Sequence, residues 1–204
     1  MSTFEDLLVS DFEQCFEQMR HHDDAFENLL QFAYTGVVAV AGASGTLLQI
    51  WHANPLNVAT VGLILLFSWM AGVVVVMSLA KNRVYFAKVA RYVNEIRHLY
   101  LAKSTAVIAN KAKMYTDWRF PPILDFGSTQ TFQIYLASAC DSFLFASGII
   151  TLIAYRNVSN HTEANVNWFW GILSFVASLV VEIVLIFVYW HLKEREYENP
   201  AGGG

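Results

Sequence analysis

Four apolar runs, each about as long as a helix that crosses a bilayer, limit this chain more than any other feature of its 204 residues. They fall at about 29–51, 58–80, 132–155 and 168–192. At about 1.5 Å per residue, each matches a hydrocarbon layer roughly 30 Å thick. Lipid offers no hydrogen bonds, so such runs must satisfy their own backbone and read as helices. Hydrophobic residues make up 55% of the chain against 15% charged, and they are gathered into these blocks instead of alternating with polar positions. The expected fold class is therefore all-α, a polytopic membrane protein with four transmembrane helices and a cytoplasmic helical extension.

The charges between the runs are segregated. Residues 1–30 hold Glu5, Asp6, Asp11, Glu13, Glu17, Asp23, Asp24 and Glu27 against one base, Arg20. A cleaved signal peptide would begin with a short basic region, so this acidic segment is expected to belong to the mature protein. The balance reverses over 81–119, where Lys81, Arg83, Lys88, Arg91, Arg97, Lys103, Lys111, Lys113 and Arg119 face Glu95 and Asp117. The positive-inside rule places that segment, and with four spans both termini, in the cytoplasm.

Phe4, Leu8, Phe12, Phe16, Met19, Phe26 and Leu29 or Leu30 recur at steps of mostly three and four, which predicts an acidic amphipathic helix over 1–28 running into the first span. Phe86, Val89, Val93, Ile96 and Tyr100 continue such a stripe beyond the second span, predicting a basic helix over 81–116 that extends it. The two are expected to pack together. Exposed ion pairs contribute about 0–1 kcal/mol each, so the apolar seam supplies the stability and the charges select the partner. Pro121 and Pro122 break the pattern in 117–131, a segment that reads as an interfacial loop, because Trp118, Phe120 and Phe126 stand beside Arg119, or equally as an ordinary packed interhelical loop. The external connections, 52–57 and 156–167, are short, and 193–204 forms a cytoplasmic tail. Asn157 and Asn160 begin two formal glycosylation triplets.

Two acids interrupt the later spans. Asp141 lies about nine residues from the inner end of the third, and Glu182 about ten from the inner end of the fourth, which places both roughly 14 Å from the cytoplasmic boundary. Ser138 and Gly148 lie near the first at helical spacing, and Ser174, Ser178 and Tyr189 near the second. No Lys or Arg lies within a span to neutralise either acid. Facing each other, they would share a proton or bind a cation; in a cyclic oligomer they would form rings that select cations. Alternatively they are protonated and serve as interhelical hydrogen-bond donors.

Gly36, Ala41, Gly42 and Gly45 in the first span are small enough to let helices approach closely, against the second span or another subunit. Glu17, His21 and Asp24 share a helix face but make too few ligands for a metal site, and an ordinary solvated face is the expectation. His52, His161 and His191 read as interfacial. Cys15 and Cys140 lie at different depths, so no disulfide is expected between them. The chain has no Gly-rich phosphate loop, HExxH or GxSxG motif, so no enzyme activity, cofactor or bound metal is expected. Lipid or the acidic N-terminal helix is a simpler partner for the basic segment than nucleic acid.

The stretch from Lys81 to Tyr100, with Arg83, Tyr85, Arg91, Tyr92, Arg97 and Tyr100 following a membrane hairpin, resembles the helix after the hairpin in SLATT-type prokaryotic proteins. The resemblance covers roughly residues 15–110, and the second hairpin departs from the family's two-span layout. It implies a pore-forming effector of antiviral defence in a prokaryotic inner membrane, answering a nucleotide signal or a cytoplasmic protein. The expected function is thus a homo-oligomeric channel controlled through its cytoplasmic bundle, with a non-conducting sensor or scaffold as the alternative.

Overall fold

A computed structural model describes residues 3–51, 55–103, 120–123, 125–159 and 168–198. It is all-helical over these residues, with four helices: α1 Thr3–Trp51, α2 Pro55–Lys103, α3 Thr129–Ser159 and α4 Trp168–Glu198. Each is long and apolar enough to cross a membrane. The chain has the architecture of a multi-pass membrane protein.

The helices run further than their apolar runs. The acidic N-terminal segment and the first run form one unbroken helix, since nothing between Thr3 and Trp51 stops the backbone ladder. α2 starts at Pro55, a residue suited to the first turn because no helical partner awaits its missing N–H. It carries the basic segment as far as Lys103; the expected end near 112–116 lies outside the described residues. α3 begins at Thr129, three positions before the expected start at 132. Ahead of it, Asp125 accepts the Gly127 amide on its side chain at 3.0 Å and the Ser128 amide on its carbonyl at 3.2 Å. The Ser128 carbonyl then accepts the first helical bond, from Phe132 at 3.1 Å. α4 continues to Glu198, so the expected tail from 193 is helical through that residue. His52, Trp118, Arg119, Asn160 and His161 lie outside the described residues.

α2 and α3 form the centre of the bundle: each packs on all three other helices, whereas α1 and α4 do not meet each other among the described residues. In the most apolar stretch of α3, 44% of positions are buried, against 6% in α1. The main core joins all four helices where the membrane runs end: Phe26 and Leu30, Leu79 and Val84, Ile134, and Ile186 with Trp190. Trp190 is fully buried and donates its indole N–H to the Ala80 carbonyl at 3.0 Å. A smaller cluster joins Val61 and Leu65 to Leu144, with Val37, Val40 and Ala41 against it. Val38, Phe67, Val74, Ile172, Val180 and Leu192 remain exposed, as apolar side chains do where lipid is the solvent.

Small residues of the later helices mediate the close approaches within the chain. A Cβ on Gly62 would stand 2.8 Å from a Leu152 methyl, and one on Gly148 would stand 3.2 Å from the Gly62 carbonyl, so α2 and α3 touch nearly backbone to backbone there. A Cβ on Gly171 would reach Ile150 at 2.4 Å. Around Gly36, Gly42 and Gly45 the same construction meets nothing within 4 Å: Gly42 and Gly45 are exposed on the outside of α1, and Gly36 borders open space between α1, α2 and α3. Of that expected packing set, only Ala41 packs within one chain.

Candidate functional site

Glu182 is 2% exposed, on the face of α4 that also carries Gly171, Ser178, Ile186 and Trp190. Steps of four and seven keep those positions on one side. Its Oε1 accepts three donors: Trp69 Nε1 of α2 at 3.2 Å, Ser142 Oγ of α3 at 3.1 Å and Ser178 Oγ of its own helix at 3.2 Å. The indole can only donate, so Oε1 is an acceptor and any proton on this carboxyl stands on Oε2, which is buried and without a partner.

Asp141 is equally buried, yet neither of its oxygens has a hydrogen-bond partner. It lies against Gly72 of α2, where a Cβ would stand 1.8 Å from Oδ1. The carboxyl therefore occupies the place a side chain would take. It borders a cavity of about 160 Å³ between α1, α2 and α3, along with Tyr34, Gly36, Ser68 and Cys140. The Tyr34 hydroxyl is also buried and unpartnered. Buried polar atoms are usually bonded to protein or water, and this cavity has room for several waters.

Asp141 and Ser142 are consecutive on α3, so their side chains leave the helix about 100° apart. Ser142 reaches Glu182, while Asp141 turns to the α1–α2 side. No hydrogen bond joins the two acids. They do occupy one layer, because their α2 contacts, Trp69 and Gly72, are a single turn apart. Burial to 2% within one chain also keeps both off the outer surface of the bundle, where a ring around a shared axis would need them.

Of the serines expected near the acids, Ser178 bonds Glu182 and Ser138 is fully buried one turn before Ser142. Ser174 is half-buried and is not among the three donors to Glu182. Sequence reasoning missed Trp69, Ser142, Gly72 and Tyr34. A signal existed for Trp69: tryptophan favours the membrane interfaces, and this one stands inside a span.

The expected basic face is not a single solvated surface. Lys81 is exposed and Lys88 borders a small cleft with Asp11, Gln14 and Cys15, but Arg91 and Arg83 are buried, at 1% and 4% exposure. Their reason is the Pro-Pro segment. Asn94 donates to the Phe120 carbonyl at 2.8 Å, Arg91 to that of Pro121 at 2.9 Å, and Arg83 to that of Pro122 at 3.3 Å. Three consecutive carbonyls that no helix can use are thus taken up by α2. Arg91 also pairs with Glu194 of α4 at 2.6 Å and lies over the Tyr197 ring at 4.8 Å. Glu194 accepts the Ile123 amide with its other oxygen, at 3.2 Å. The guanidinium–carboxylate bridge therefore ties α2, α4 and the 120–123 segment together.

The acidic half of α1 does pack along the α2 extension, through rings and hydrogen bonds. Arg97 lies 5.6 and 5.7 Å from the ring centres of Phe12 and Phe16. His22 stacks on Tyr85 at 5.6 Å and bonds Asn82 at 2.9 Å. Asp23 accepts from Gln130 of α3 at 3.0 Å. Glu17, His21 and Asp24 are exposed, and among the described residues no group of three His, Cys, Asp or Glu side chains is placed to hold a metal. His191 is exposed and stacks on Phe187.

Comparison with protein-family models, with characterised proteins and with solved structures gives no match at a significant level.

Proposed function

We propose that this chain moves protons or small cations across a membrane, with Asp141 and Glu182 as the polar step inside the bilayer and the cytoplasmic helices as its control. The observation that carries this reading is Asp141: a buried carboxyl with both oxygens unpartnered, on a cavity that Tyr34 and Ser68 also border. Ionisable groups are costly at such depth, and transport is a principal reason to keep them. Because the acids are enclosed within one chain, the path runs through each bundle, opening along the α1–α2–α3 cavity. It does not run down an axis shared by copies.

The basic segment of α2 lies on the cytoplasmic side in this reading, with both termini, in the inner membrane of a prokaryote. Copies assemble through the outward Gly42 and Gly45 surface of α1. The SLATT-like layout fits an effector in which a nucleotide or cytoplasmic protein acts on the helical bundle. The second reading is a non-conducting sensor or scaffold; it draws on Glu182, whose three bonds tie α2, α3 and α4 together as a structural cross-brace.

Flux from liposomes loaded with a pH dye or a potassium indicator separates the two. Channel or transporter action predicts flux that Asp141→Asn abolishes or makes less selective for cations, with Glu182→Gln acting in the same direction. A folded, reconstituted protein that passes neither protons nor potassium leaves the sensor or scaffold reading. Size measurement in detergent tests assembly separately, since a path within one chain survives a monomer.

A further inference from the structure

Arg83 is a buried cation that no carboxylate contacts directly. It is 4% exposed, three positions past the second apolar run, and its two terminal nitrogens donate to Gln130 Oε1 at 3.0 Å and to the Pro122 carbonyl at 3.3 Å. Both acceptors are neutral. Its Nε is buried with no partner, and the two ion pairs among the described residues, Arg91–Glu194 and Lys193–Glu196, do not include it. Gln130 passes on part of the charge by donating to Asp23, but through an amide. Burial lowers the pKa of Arg83; the Asp125 charge works against that, and Arg91 adds to it. Arg91, about two turns further along α2, shows the usual arrangement for a buried guanidinium, a carboxylate at 2.6 Å. Buried charges are normally paired, so Arg83 is incomplete.

The same residue borders a cleft of about 470 Å³ between α1, α2 and the segment before α3. Arg97, Asn94, Ser128 and Thr129 supply further polar groups there, and Phe16 and Phe120 supply ring surface. Arg83 and Arg97 both line the cleft, as does Asp125, whose side chain accepts the Gly127 amide; Arg97 also donates to Asn94 Oδ1 at 3.3 Å. The cleft is thus lined by two guanidiniums with ring surface beside them, the Phe16 ring lying 5.7 Å from the Arg97 guanidinium, and it sits where the apolar run meets the cytoplasmic helices. That combination suits an anion attached to an apolar body.

We propose that this cleft binds a phosphate oxyanion, from a phospholipid headgroup or from a soluble phosphate, with Arg83 and Arg97 as its principal partners. Planar guanidiniums meet phosphate oxygens in pairs of charge-assisted hydrogen bonds, whereas chloride offers no matching geometry.

The experiment uses the full chain in two settings. In detergent, inorganic phosphate is titrated at constant ionic strength, with 31P line broadening and the thermal unfolding midpoint as readouts. In nanodiscs, phosphatidylcholine alone is compared with phosphatidylcholine containing phosphatidic acid. Binding of soluble phosphate broadens the 31P line and raises the midpoint in detergent; a lipid source raises the midpoint only with phosphatidic acid, and either result supports the site. Arg83→Gln and Arg97→Gln should each weaken the response about tenfold or more, as expected when a charge-assisted contact is lost, while Lys81→Gln, at an exposed position, leaves it unchanged. If Arg83→Gln does not fold, the wild type and Arg97→Gln decide the matter. No response in the wild type to either probe overturns the proposal, as does a response that survives unchanged in Arg97→Gln.

Discussion

The Trp69 indole of α2 donates to Glu182 Oε1 of α4 at 3.2 Å, reaching the oxygen that also accepts Ser142 of α3. Three helices therefore converge on one carboxyl oxygen in the middle of an apolar bundle. One turn further along α2, Gly72 makes the space that Asp141 occupies. The two acids are supported differently: Glu182 is held by donors and Asp141 by shape alone.

Removing the indole donor tests the first arrangement. Interhelical hydrogen bonds in membranes average about 0.6 kcal/mol, and those to charged groups in soluble proteins about 1.5–3 kcal/mol. Trp69→Phe keeps most of the ring and should therefore cost about 1–2 kcal/mol of stability, read by thermal or denaturant unfolding in detergent. Stability equal to the wild type would mean that the bond contributes nothing.

Shape support at Asp141 is tested by adding one methyl. Gly72→Ala places a Cβ on the carboxyl, so it should destabilise the protein by about 1–3 kcal/mol, the range for overpacking a filled site. In an Asp141→Ala background the same substitution should be much milder. A double-mutant cycle measures the difference, and additive effects would contradict direct contact.

Glycines on different helices should behave oppositely. Gly148→Val intrudes on Leu66 and the Gly62 backbone and should lower the unfolding midpoint clearly, while Gly45→Val leaves intrachain packing untouched. Should Gly45→Val instead reduce the size of the particle in detergent, its role lies between copies.

The clamp on the Pro-Pro segment depends on a buried cation. Arg91→Ala leaves Glu194 and the Pro121 carbonyl without their guanidinium partner, and breaking a buried pair costs about 3–5 kcal/mol. Glu194 is 27% exposed, so the loss should lie at the lower end of that range. Lys81→Ala, at an exposed position, should fall within about 0.5 kcal/mol of wild type. Unfolding midpoints compare the two.

Cys15 carries a pH prediction. Burial, and secondarily the Asp11 charge, push its thiol pKa up. A folded pKa above the unfolded one contributes stability that is fully present below the ordinary thiol range near about 8.5 and is lost as pH rises through the folded value. Alkylation of Cys15 by iodoacetamide at pH 8 should thus be slower than that of a free cysteine, and stability should fall on alkaline titration. Peptide mass spectrometry reads the first; a rate equal to that of free cysteine would refute the shielding.

The four helices, the continuity of α1 through its acidic half and the projection of α2 beyond the second apolar run were all legible in the sequence, because hydropathy and the three-to-four spacing are local properties of a helix. That Asp141 and Glu182 lie at one level of the bundle was legible too, since height along a helix follows from counting residues at a constant rise. What each acid faces was not. That depends on the rotation of each helix about its axis, which the neighbours' side chains set: Trp69 and Ser142 turn Glu182 into a junction, and the missing side chain of Gly72 lets Asp141 lie against α2. Arg83 and Arg91 read as part of a basic face because nothing in their spacing reveals that the carbonyls of Pro122 and Pro121 come to rest against them. Within the chain the close approach falls to Gly62 and Gly148, whereas a Cβ on any α1 glycine, read as packing against the second span or another subunit, would meet nothing within 4 Å. The sequence by itself determined which segments are helical and at what height along them the polar residues stand; only the tertiary structure decided which of those residues meet, because contacts across helices depend on azimuth and register that no single segment contains.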